Sequence, residues 1–431
     1  MVQDPSHAPS WSPALVEEIA GKVGTPFLLY RADTIRRKIA EIQEMTAAPG
    51  LQARYAMKAC SARRVLEEMH QSDIWIDAVS GNEVLRALAA GVESGQQPPK
   101  ILYTSDVFRD NALEVITREN VLANVGTPQM IDDLTRAGYR GNIGVRINPG
   151  FGHGHVKECD TGGPSSKHGI WFENIEDAKG RADAAKLTVK LLHAHIGTGS
   201  AIAEFQTNIA KLVDFFLDRI ELFPEAEVIS FGGGIPHPYR PGSPRIDLAK
   251  CAAVLVEGQK TLSEKAGREI RLEVEPGRFL VADSASLITR VHGVKRTQTN
   301  EKGPGQKFIM VDAGFCDLVR PTMYGSYHHI EVLGKNGDPK EDLVIAGPMC
   351  ESGDVFTRDA AELLDPRSLP TPKIGDLIAI HDAGAYGEAM SSNYNSLGRV
   401  PQIWYDADEA YLMSRRQTLE DILQTECFSK L

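Results

Sequence analysis

One lysine of the sequence lies in surroundings that suit a nucleophile. Lys58 follows Tyr-Ala-Met and precedes Ala-Cys, at the end of segment 53–59, whose composition predicts a barrel-type β-strand. Apolar neighbours exclude water from an amine, which lowers its pKa and lets it attack a carbonyl carbon. The alternative is a structural lysine whose amine extends into solvent beyond its strand. The local sequence leaves both interpretations open.

Other chemically useful residues follow further apolar segments, each at the end nearer the C-terminus. Consecutive glycines let backbone approach a phosphate, an arginine adds positive charge, an imidazole stacks on a ring, and a carboxylate keeps a ring nitrogen protonated. Together with a nucleophilic lysine, these are the protein's contributions to pyridoxal-phosphate chemistry. The residues are Asp77, Arg146, His193, His195, Gly232, Gly233, Gly234, Glu275, Pro276, Gly277 and Arg278.

Each of these signals also has a structural interpretation. The three glycines taken alone fit a tight strand-to-helix turn, and either His193 or His195 fits a hydrogen-bonded core histidine. Cys350 fits a buried apolar cysteine. Ser80 and Glu83 have the spacing of a helix capping box, and we expect that structural role for them.

The elements that position these residues alternate between strand and helix. Amphipathic stretches separate eight β-type segments, and the whole predicts a (β/α)8 TIM barrel whose active site lies at the carboxyl ends of the strands. A doubly wound sheet is the rival fold, but the first strand is not followed by the Gly-rich phosphate loop typical of that fold. The eight segments are 53–59, 75–80, 100–105, 120–125, 142–148, 190–197, 227–234 and 269–277.

The helical periodicity thins out after about residue 285, and short β-type runs with Gly and Pro between them replace it. We therefore predict a PLP-binding barrel at 36–285 and a mainly β domain at 286–431, which also includes the N-terminal segment 1–35. Within that segment, 27–30 is predicted to join the β domain. A last helix is predicted near 419–426.

Composition narrows the class of protein. The chain has 431 residues and 42% hydrophobic residues, which is typical of a soluble globular protein. Its net charge of −11 argues against nucleic acid as a partner. It has no apolar run long enough to span a membrane, and its first residues lack a signal-peptide profile. The six cysteines are scattered without a Cys-x-x-Cys motif, which favours a reducing cytoplasm and predicts no metal site.

Several motifs, in this order and spacing, resemble those of the diaminopimelate decarboxylases, which belong to the alanine-racemase-like, fold-type III class of pyridoxal-phosphate enzymes. The resemblance covers the chain from about residue 26 to its C-terminus. The motifs are YAMK at 55–58, HAHIG at 193–197, GGG at 232–234, EPGR at 275–278, CESGD at 350–354, GAY at 384–386 and MSSNYN at 390–395.

The resemblance implies a head-to-tail homodimer with shared active sites and one cofactor, pyridoxal 5'-phosphate, in each. It implies that Lys58 bonds covalently to the cofactor, that Glu275 pairs with the ring nitrogen and that His195 stacks on the ring. Thr198 takes the place of a usual serine and keeps its hydroxyl. The implied cofactor-binding residues are Lys58, Asp77, Arg146, His195, Thr198, Gly232, Gly233, Gly234, Glu275, Pro276, Gly277, Arg278 and Tyr386.

The implied reaction is decarboxylation of meso-2,6-diaminopimelate to L-lysine and carbon dioxide, the last step of lysine biosynthesis. Lys58 and His195 act at the cofactor, and Cys350 of the partner subunit donates a proton. The far end of the substrate carries a carboxylate and an ammonium, so it needs a cationic clamp together with an anionic acceptor. The implied substrate-binding residues are Arg278, Arg320, Tyr324, Glu351, Ser352 and Tyr386.

Three other functions compete with this one. A decarboxylase of a related amino acid with a distal carboxylate, of the carboxynorspermidine or siderophore type, would keep the same clamp. An amino-acid racemase of the same fold is disfavoured because Cys350-Glu351-Ser352 belongs to the decarboxylase pattern. A non-catalytic cofactor carrier or regulator is disfavoured by the second domain and by the presence of both Lys58 and Cys350.

Overall fold

The chain folds into two compact units. The structure is a computed structural model that describes residues 10–152, 161–197, 202–301 and 303–429. The barrel unit consists of Arg36–His237 and Pro244–Leu280, and the β unit consists of Met1–Ile35, Pro238–Ser243 and Val281–Leu431. In the described part of the chain, no helix is long and apolar enough to cross a membrane.

The strands are β1 (Phe27–Arg31), β2 (Leu51–Ala56), β3 (Trp75–Ala78), β4 (Ile101–Ser105), β5 (Leu122–Val125), β6 (Ile143–Asn148), β7 (Ile170–Trp171), β8 (Val189–His193), β9 (Val228–Ser230), β10 (Arg271–Val274), β11 (Ala285–Arg296), β12 (Lys307–Val311), β13 (Ile330–Val332), β14 (Lys340–Ala346), β15 (Arg367–Pro370), β16 (Leu377–Ile380), β17 (Gln402–Asp406) and β18 (Glu409–Ser414). The α-helices are α1 (Pro13–Val23), α2 (Ala32–Met45), α3 (Arg63–Gln71), α4 (Gly81–Ala89), α5 (Ala112–Glu119), α6 (Pro128–Arg136), α7 (Ile175–Ala185), α8 (Ile202–Leu217), α9 (Leu248–Ala266), α10 (Arg278–Val281), α11 (Arg320–Tyr324) and α12 (Leu419–Leu423).

The barrel unit contains a closed parallel barrel, which confirms the predicted fold class. The strands follow one another in the order β5, β4, β3, β2, β10, β9, β8, β6, and a pairing between β5 and β6 closes the ring. The short β7 pairs with the C-terminal end of β6. A closed parallel ring brings all eight carboxyl ends to one rim, so that residues far apart in sequence meet there.

Helices α4, α6 and α8 show sequence features that explain where they form. An apolar stripe from Phe205 to Phe216 lies on α8 and is buried. Thr127 is the N-cap of α6, with a proline at the first helical position. Ser80 caps α4 by accepting a hydrogen bond from the Glu83 N–H, but the Glu83 carboxylate accepts from the Val79 N–H instead of completing a reciprocal capping box.

The predicted strands were too long at the rim. β2 ends at Ala56, β8 at His193, β9 at Ser230 and β10 at Val274. Lys58, His195, the glycines 232–234 and Glu275 therefore lie in the turns that follow the strands, where side chains and backbone amides can face a ligand.

The β unit is built on a sheet that uses both ends of the chain. Its strand order is β15, β14, β12, β11, β1, β17, β18, and β16 pairs with both β11 and β13. β1 is antiparallel to β11 and parallel to β17, which confirms the prediction that the N-terminal segment joins this sheet. The sequence did not reveal β15, β18 or α1, whereas the predicted last helix is present as α12.

One ion pair is fully buried within the barrel unit. Arg54 and Glu273 are both 0% exposed, and the Arg54 Nε lies 2.5 Å from Glu273 Oε2. Arg54 also donates from Nη1 to the Pro99 carbonyl oxygen at 2.6 Å. The attraction between the two charges offsets the large cost of removing each of them from water.

We expect the Arg54→Met variant to lower the free energy of unfolding by roughly 3 kcal/mol, because Glu273 would lose its buried partner and keep only the 3.2 Å contact with the partly exposed Arg271. The double variant Arg54→Met/Glu273→Leu should recover most of the loss. Urea unfolding of each purified variant measures the effect. The matched control is Arg63→Met, which breaks an exposed pair with Glu67 and should cost less than about 1 kcal/mol. Equal unfolding midpoints for the two single variants would contradict the prediction.

Candidate active site

The nucleophile candidate lies on a single helical turn at the rim. Lys58 is the middle residue of the 3-10 helix Met57–Ala59, which directly follows β2. Met57 and Ala59 are buried, but Lys58 is exposed, so the predicted desolvation of its amine is wrong for this structure. The burial of its neighbours fixes the backbone of Lys58 and leaves the amine accessible. Its charge acts on two carboxyl groups and an imidazole of the same rim, those of Asp77, Glu83 and His195.

A buried carboxylate next to that rim has two hydrogen-bond partners. Glu275 follows β10; its Oε2 lies 3.1 Å from His193 Nε2, and its Oε1 accepts from Ser230 Oγ at 2.7 Å. Burial opposes ionisation, but the nearby His193 and the two hydrogen bonds outweigh it and hold the pKa of the Glu275 carboxyl well below its usual range. His193 is therefore the hydrogen-bonded core histidine of the pair 193 and 195. Ser230 was missed, and its only sequence signal is its place two residues before the glycines.

The surroundings of Asp77 and His195 favour the neutral form of each side chain, in contrast to those of Glu275. Asp77 is 2% exposed, and burial followed by the negative charge of Glu275 raises the pKa of its carboxyl to about 7. Burial, together with the charges of Lys58 and Arg146, holds the pKa of His195 well below its usual value. Asp77 Oδ1 and His195 Nδ1 are buried without a hydrogen-bond partner in the part of the chain that the structure describes. The rim thus combines one stable anion with a neutral imidazole.

The three glycines lie where any side chain would clash with neighbouring atoms. A Cβ at Gly232, where φ is +63°, would lie 2.6 Å from the Cβ of His195. A Cβ at Gly233 would lie 2.6 Å from the Glu275 carbonyl oxygen, and one at Gly234 would lie 2.7 Å from the Gly197 carbonyl oxygen. All three distances are shorter than a Cβ tolerates, so only glycine permits this close backbone turn. The turn is held in place by a hydrogen bond from the Glu275 N–H to the Gly232 carbonyl.

Arg146 supplies a permanent positive charge near the end of β6. It is 8% exposed, and burial lowers its pKa while the charges of Asp106, Glu275 and Asp77 counteract that effect. Asp106 is anchored by His168 Nδ1 and by the Gly169 N–H, each at 2.9 Å. Despite burial, these bonds and the charge of Arg146 lower the pKa of Asp106 to about 2. The contact between Asp106 and His168 joins residues 62 positions apart, and the sequence carries no signal for it.

Six further predicted residues lie in the β unit: Arg320, Tyr324, Cys350, Glu351, Ser352 and Tyr386. Cys350 is exposed, which rules out the buried-cysteine interpretation, and its backbone N–H donates to Asn395 Oδ1 at 3.1 Å. Glu351 and Ser352 are also exposed, Tyr324 is half-buried, and Arg320 is 3% exposed at the start of α11. Tyr386 has φ +58°, a strained conformation for an aromatic residue that points to a functional constraint. Thr198 lies outside the described residues.

Four features of the barrel rim fit a phosphorylated pyridine aldehyde. Lys58 offers an accessible amine, Glu275 an ionised carboxylate for a ring nitrogen, and His195 a neutral ring with an unpartnered buried nitrogen. The glycines 232–234 form a turn that no side chain obstructs. Pro276 and Gly277 support the same place, since the Pro276 carbonyl accepts from the Ala56 N–H, and Gly277 packs close to Ala56. Arg278 follows them, half-buried, as the first residue of α10.

Comparison with known proteins agrees with this geometry. The family model described as pyridoxal-dependent decarboxylase, pyridoxal binding domain, matches residues 32–282. The diaminopimelate decarboxylase of Streptomyces coelicolor is 39% identical over 412 residues, which covers 94% of this chain and 90% of that protein. The diaminopimelate decarboxylase of Escherichia coli K12 is 38% identical over 413 residues, which covers 95% of each chain.

Solved structures show the same similarity. A crystal structure of diaminopimelate decarboxylase matches with a TM-score of 0.87 and 38% identity, covering 96% of both chains. The diaminopimelate decarboxylase of Helicobacter pylori complexed with L-lysine matches with a TM-score of 0.82 and 27% identity, covering 95% of this chain and 98% of that one.

The raised pKa of Asp77 predicts a pH-dependent cost in stability. Between the ordinary aspartate pKa of about 3.9 and the folded value of about 7, the folded protein keeps a proton that the unfolded chain has lost, so stability falls as pH rises through that window. Asp77→Asn removes this cost. We expect the variant's stability relative to the unmodified protein to improve between pH 5 and pH 8, as measured by urea unfolding of the ligand-free proteins.

The matched control is Asp421→Asn. A hydrogen bond from Arg415 lowers the pKa of the Asp421 carboxyl, which is therefore ionised at both pH values. The effect of that substitution should not change between pH 5 and pH 8. A stability difference for Asp77→Asn that is equally independent of pH would contradict the raised pKa.

Proposed function

This chain belongs to the diaminopimelate decarboxylase family of pyridoxal-dependent decarboxylases, and we propose that it converts meso-2,6-diaminopimelate to L-lysine and carbon dioxide, the last step of lysine biosynthesis. The observation that carries this proposal is the barrel rim, where an accessible lysine, an ionised glutamate and an open glycine turn occur together. The two relatives are named for this substrate, and this chain aligns with nearly their whole length.

The proposed cofactor is pyridoxal 5'-phosphate. When bound, it accepts the electron pair that the departing carbon dioxide leaves on the substrate's α-carbon. Lys58 would hold the cofactor through its Nζ. Glu275, ionised by its contacts with His193 and Ser230, would accept a hydrogen bond from the ring nitrogen and so keep a proton at that atom.

Two kinds of residue complete the cofactor site. Neutral His195 stacks on the ring without adding charge, and Asp77, which favours its protonated form, lies in the same rim without repelling Glu275 strongly. The phosphate is bound by backbone amides and by cationic and hydroxyl side chains. We assign that role to the backbone of Gly232, Gly233, Gly234, Gly277 and Arg278 and to the side chains of Arg146, Thr198 and Tyr386, while Pro276 shapes the adjoining turn.

The distal end of diaminopimelate carries both a carboxylate and an ammonium. We assign Arg278, Arg320 and Tyr324 to the carboxylate, since a guanidinium binds that group through two parallel hydrogen bonds. Glu351 accepts from the ammonium, and Ser352 and Tyr386 also line the substrate site. An ornithine or arginine molecule lacks the distal carboxylate and would leave the arginines uncompensated, so a site of this kind rejects it.

We propose that the enzyme is a head-to-tail homodimer in which the partner subunit provides Cys350, Glu351 and Ser352. The exposure of these three residues makes them available to another chain. We assign the Cys350 thiol as the acid that donates a proton to the substrate's α-carbon after carbon dioxide has left, and the resulting thiolate takes up a proton from solvent.

The barrel at 36–285 is proposed to bind the cofactor, and the domain formed by 286–431 with 1–35 to complete the site.

The five cysteines that the structure describes form no disulfide, and a thiol that acts as an acid must stay reduced. We therefore propose the reducing cytoplasm as the site of action.

Carbon dioxide release from stereochemically defined meso-diaminopimelate tests the function. The cofactor-loaded enzyme should release one carbon dioxide per L-lysine formed, and Lys58→Ala should lose at least about a thousandfold in kcat because its covalent hold on the cofactor is gone. Lys211→Ala, which removes an exposed lysine of α8, is the control and should keep full activity. Release from carboxynorspermidine but not from diaminopimelate would assign the enzyme to another substrate.

Mixed dimers test the shared site. Lys58→Ala and Cys350→Ala should each be inactive as homodimers, whereas their mixture should regain up to about a quarter of the unmodified activity. The reason is statistical: half of randomly mixed dimers are hybrids, and each hybrid has one intact site. Subunit exchange is verified by mass spectrometry of differently tagged chains. Exchange without any recovery would contradict a site built from two subunits.

A further inference from the structure

Arg320 is held by neutral partners within the β unit. Its Nη1 lies 3.0 Å from His328 Nε2, and its Nη2 donates to Ser326 Oγ at 3.2 Å. The guanidinium also lies over the Tyr239 ring, 4.7 Å from its centroid. Contacts at two nitrogens and on one face fix both the position and the plane of the group. At 3% exposure, the residue has little freedom to move.

The hydrogen bonds of His328 determine its tautomer. Its Nδ1 lies 2.9 Å from the carbonyl oxygen of His381, which can only accept, so Nδ1 carries the proton. Its Nε2 faces the Arg320 guanidinium, which can only donate, so Nε2 presents its lone pair. His328 is therefore neutral in this arrangement. A proton on Nε2 would turn an N–H toward another N–H and remove the contact.

The backbone that orients His328 is itself anchored. The His381 N–H donates to the His329 carbonyl at 2.8 Å, next to the pairing of β13 with β16. The His381 ring is fixed on both sides, since Nδ1 lies 2.9 Å from Ser286 Oγ and Nε2 lies 3.2 Å from Glu331 Oε2. The carbonyl that sets the tautomer of His328 thus belongs to a rigid part of the sheet.

We infer that His328 is a positioning residue for substrate recognition: its Nε2 lone pair holds the Arg320 guanidinium in the orientation that binds the distal carboxylate. This inference rests on the proposed function, in which Arg320 contacts the carboxylate that the reaction does not remove. The same carboxylate persists in the product L-lysine. His328 therefore affects binding of ligands that carry this group and has no part in the bond-breaking step.

Two amide variants separate the two hydrogen bonds of His328. The amide of His328→Asn has the reach of Nδ1 and can still donate to His381, but it has no atom at the place of Nε2. The longer amide of His328→Gln reaches the place of Nε2 and can accept from Arg320. The pair thus tests the contact with Arg320 while substituting the same residue.

The experiment measures the cofactor-loaded enzyme with three ligands. They are meso-diaminopimelate as substrate, L-lysine as an inhibitor that keeps the distal carboxylate, and cadaverine as an inhibitor that has none. Loss of a hydrogen bond to a charged group weakens binding by about ten- to a hundredfold. His328→Asn should raise KM for diaminopimelate and Ki for L-lysine by at least tenfold, with kcat and the Ki for cadaverine changed less than threefold. His328→Gln should stay within about threefold of the unmodified enzyme in all four.

Three outcomes would overturn the inference: unchanged KM in His328→Asn, an equal loss for L-lysine and cadaverine, or no rescue by His328→Gln. Should His328→Asn fail to fold, ¹⁵N spectra of histidine-labelled enzyme give a test that needs no altered contact. His328 must show a protonated Nδ1 and an unprotonated Nε2 when L-lysine is bound, and the reverse tautomer would refute the assignment. Absence of carbon dioxide release by the unmodified enzyme would instead refute the proposed function.

Discussion

The site depends first on one buried carboxylate whose charge three neighbouring strands determine. His193 ends β8, Ser230 ends β9, and Glu275 follows β10, so adjacent strands of the closed ring each contribute one group to the same contact. A carboxyl buried this deeply would ordinarily prefer its neutral form. The nearby His193 and the two hydrogen bonds reverse that preference, and burial together with the resulting anion raises the pKa of the Asp77 carboxyl to about 7. Two carboxylic acids on one rim thereby differ in pKa because of their surroundings.

The fold also explains why glycine and exposed lysine occur at this rim. A barrel interior is filled by side chains, so space for a ligand exists only where the strands end and the backbone turns outward. At Gly232 the turn passes so close to His195 that a Cβ would lie 2.6 Å from the His195 Cβ, so glycine is required there. Lys58 lies on a helical turn fixed by its buried neighbours, which combines a rigid backbone with an accessible amine.

Local patterns predicted the elements, and long-range contacts set the details that were missed. Apolar runs located the eight barrel strands because these strands are buried on both faces, and helical periodicity located the helices because each buries one face. Strand ends were misjudged since residues such as His195 have no intrinsic tendency to leave a ladder. β15 is only four residues long and contains a proline, and β18 is largely exposed, so burial did not mark either strand. The ion pair of Arg54 and Glu273 joins residues 219 positions apart, and only the closed ring brings them together.

Arg54 and Arg320 show how the neighbouring groups of an arginine determine the role of its charge. Arg54 is paired with a buried carboxylate, which neutralises it, so its charge serves the fold. The contacts of Arg320 described above are with an imidazole, a hydroxyl and an aromatic ring, all of them neutral. These contacts fix the orientation of the guanidinium, and a carboxylate ligand can then bind a cation that is already oriented and largely desolvated. Selectivity for a substrate with a distal carboxylate thus depends on the groups that orient Arg320 as much as on the arginine itself.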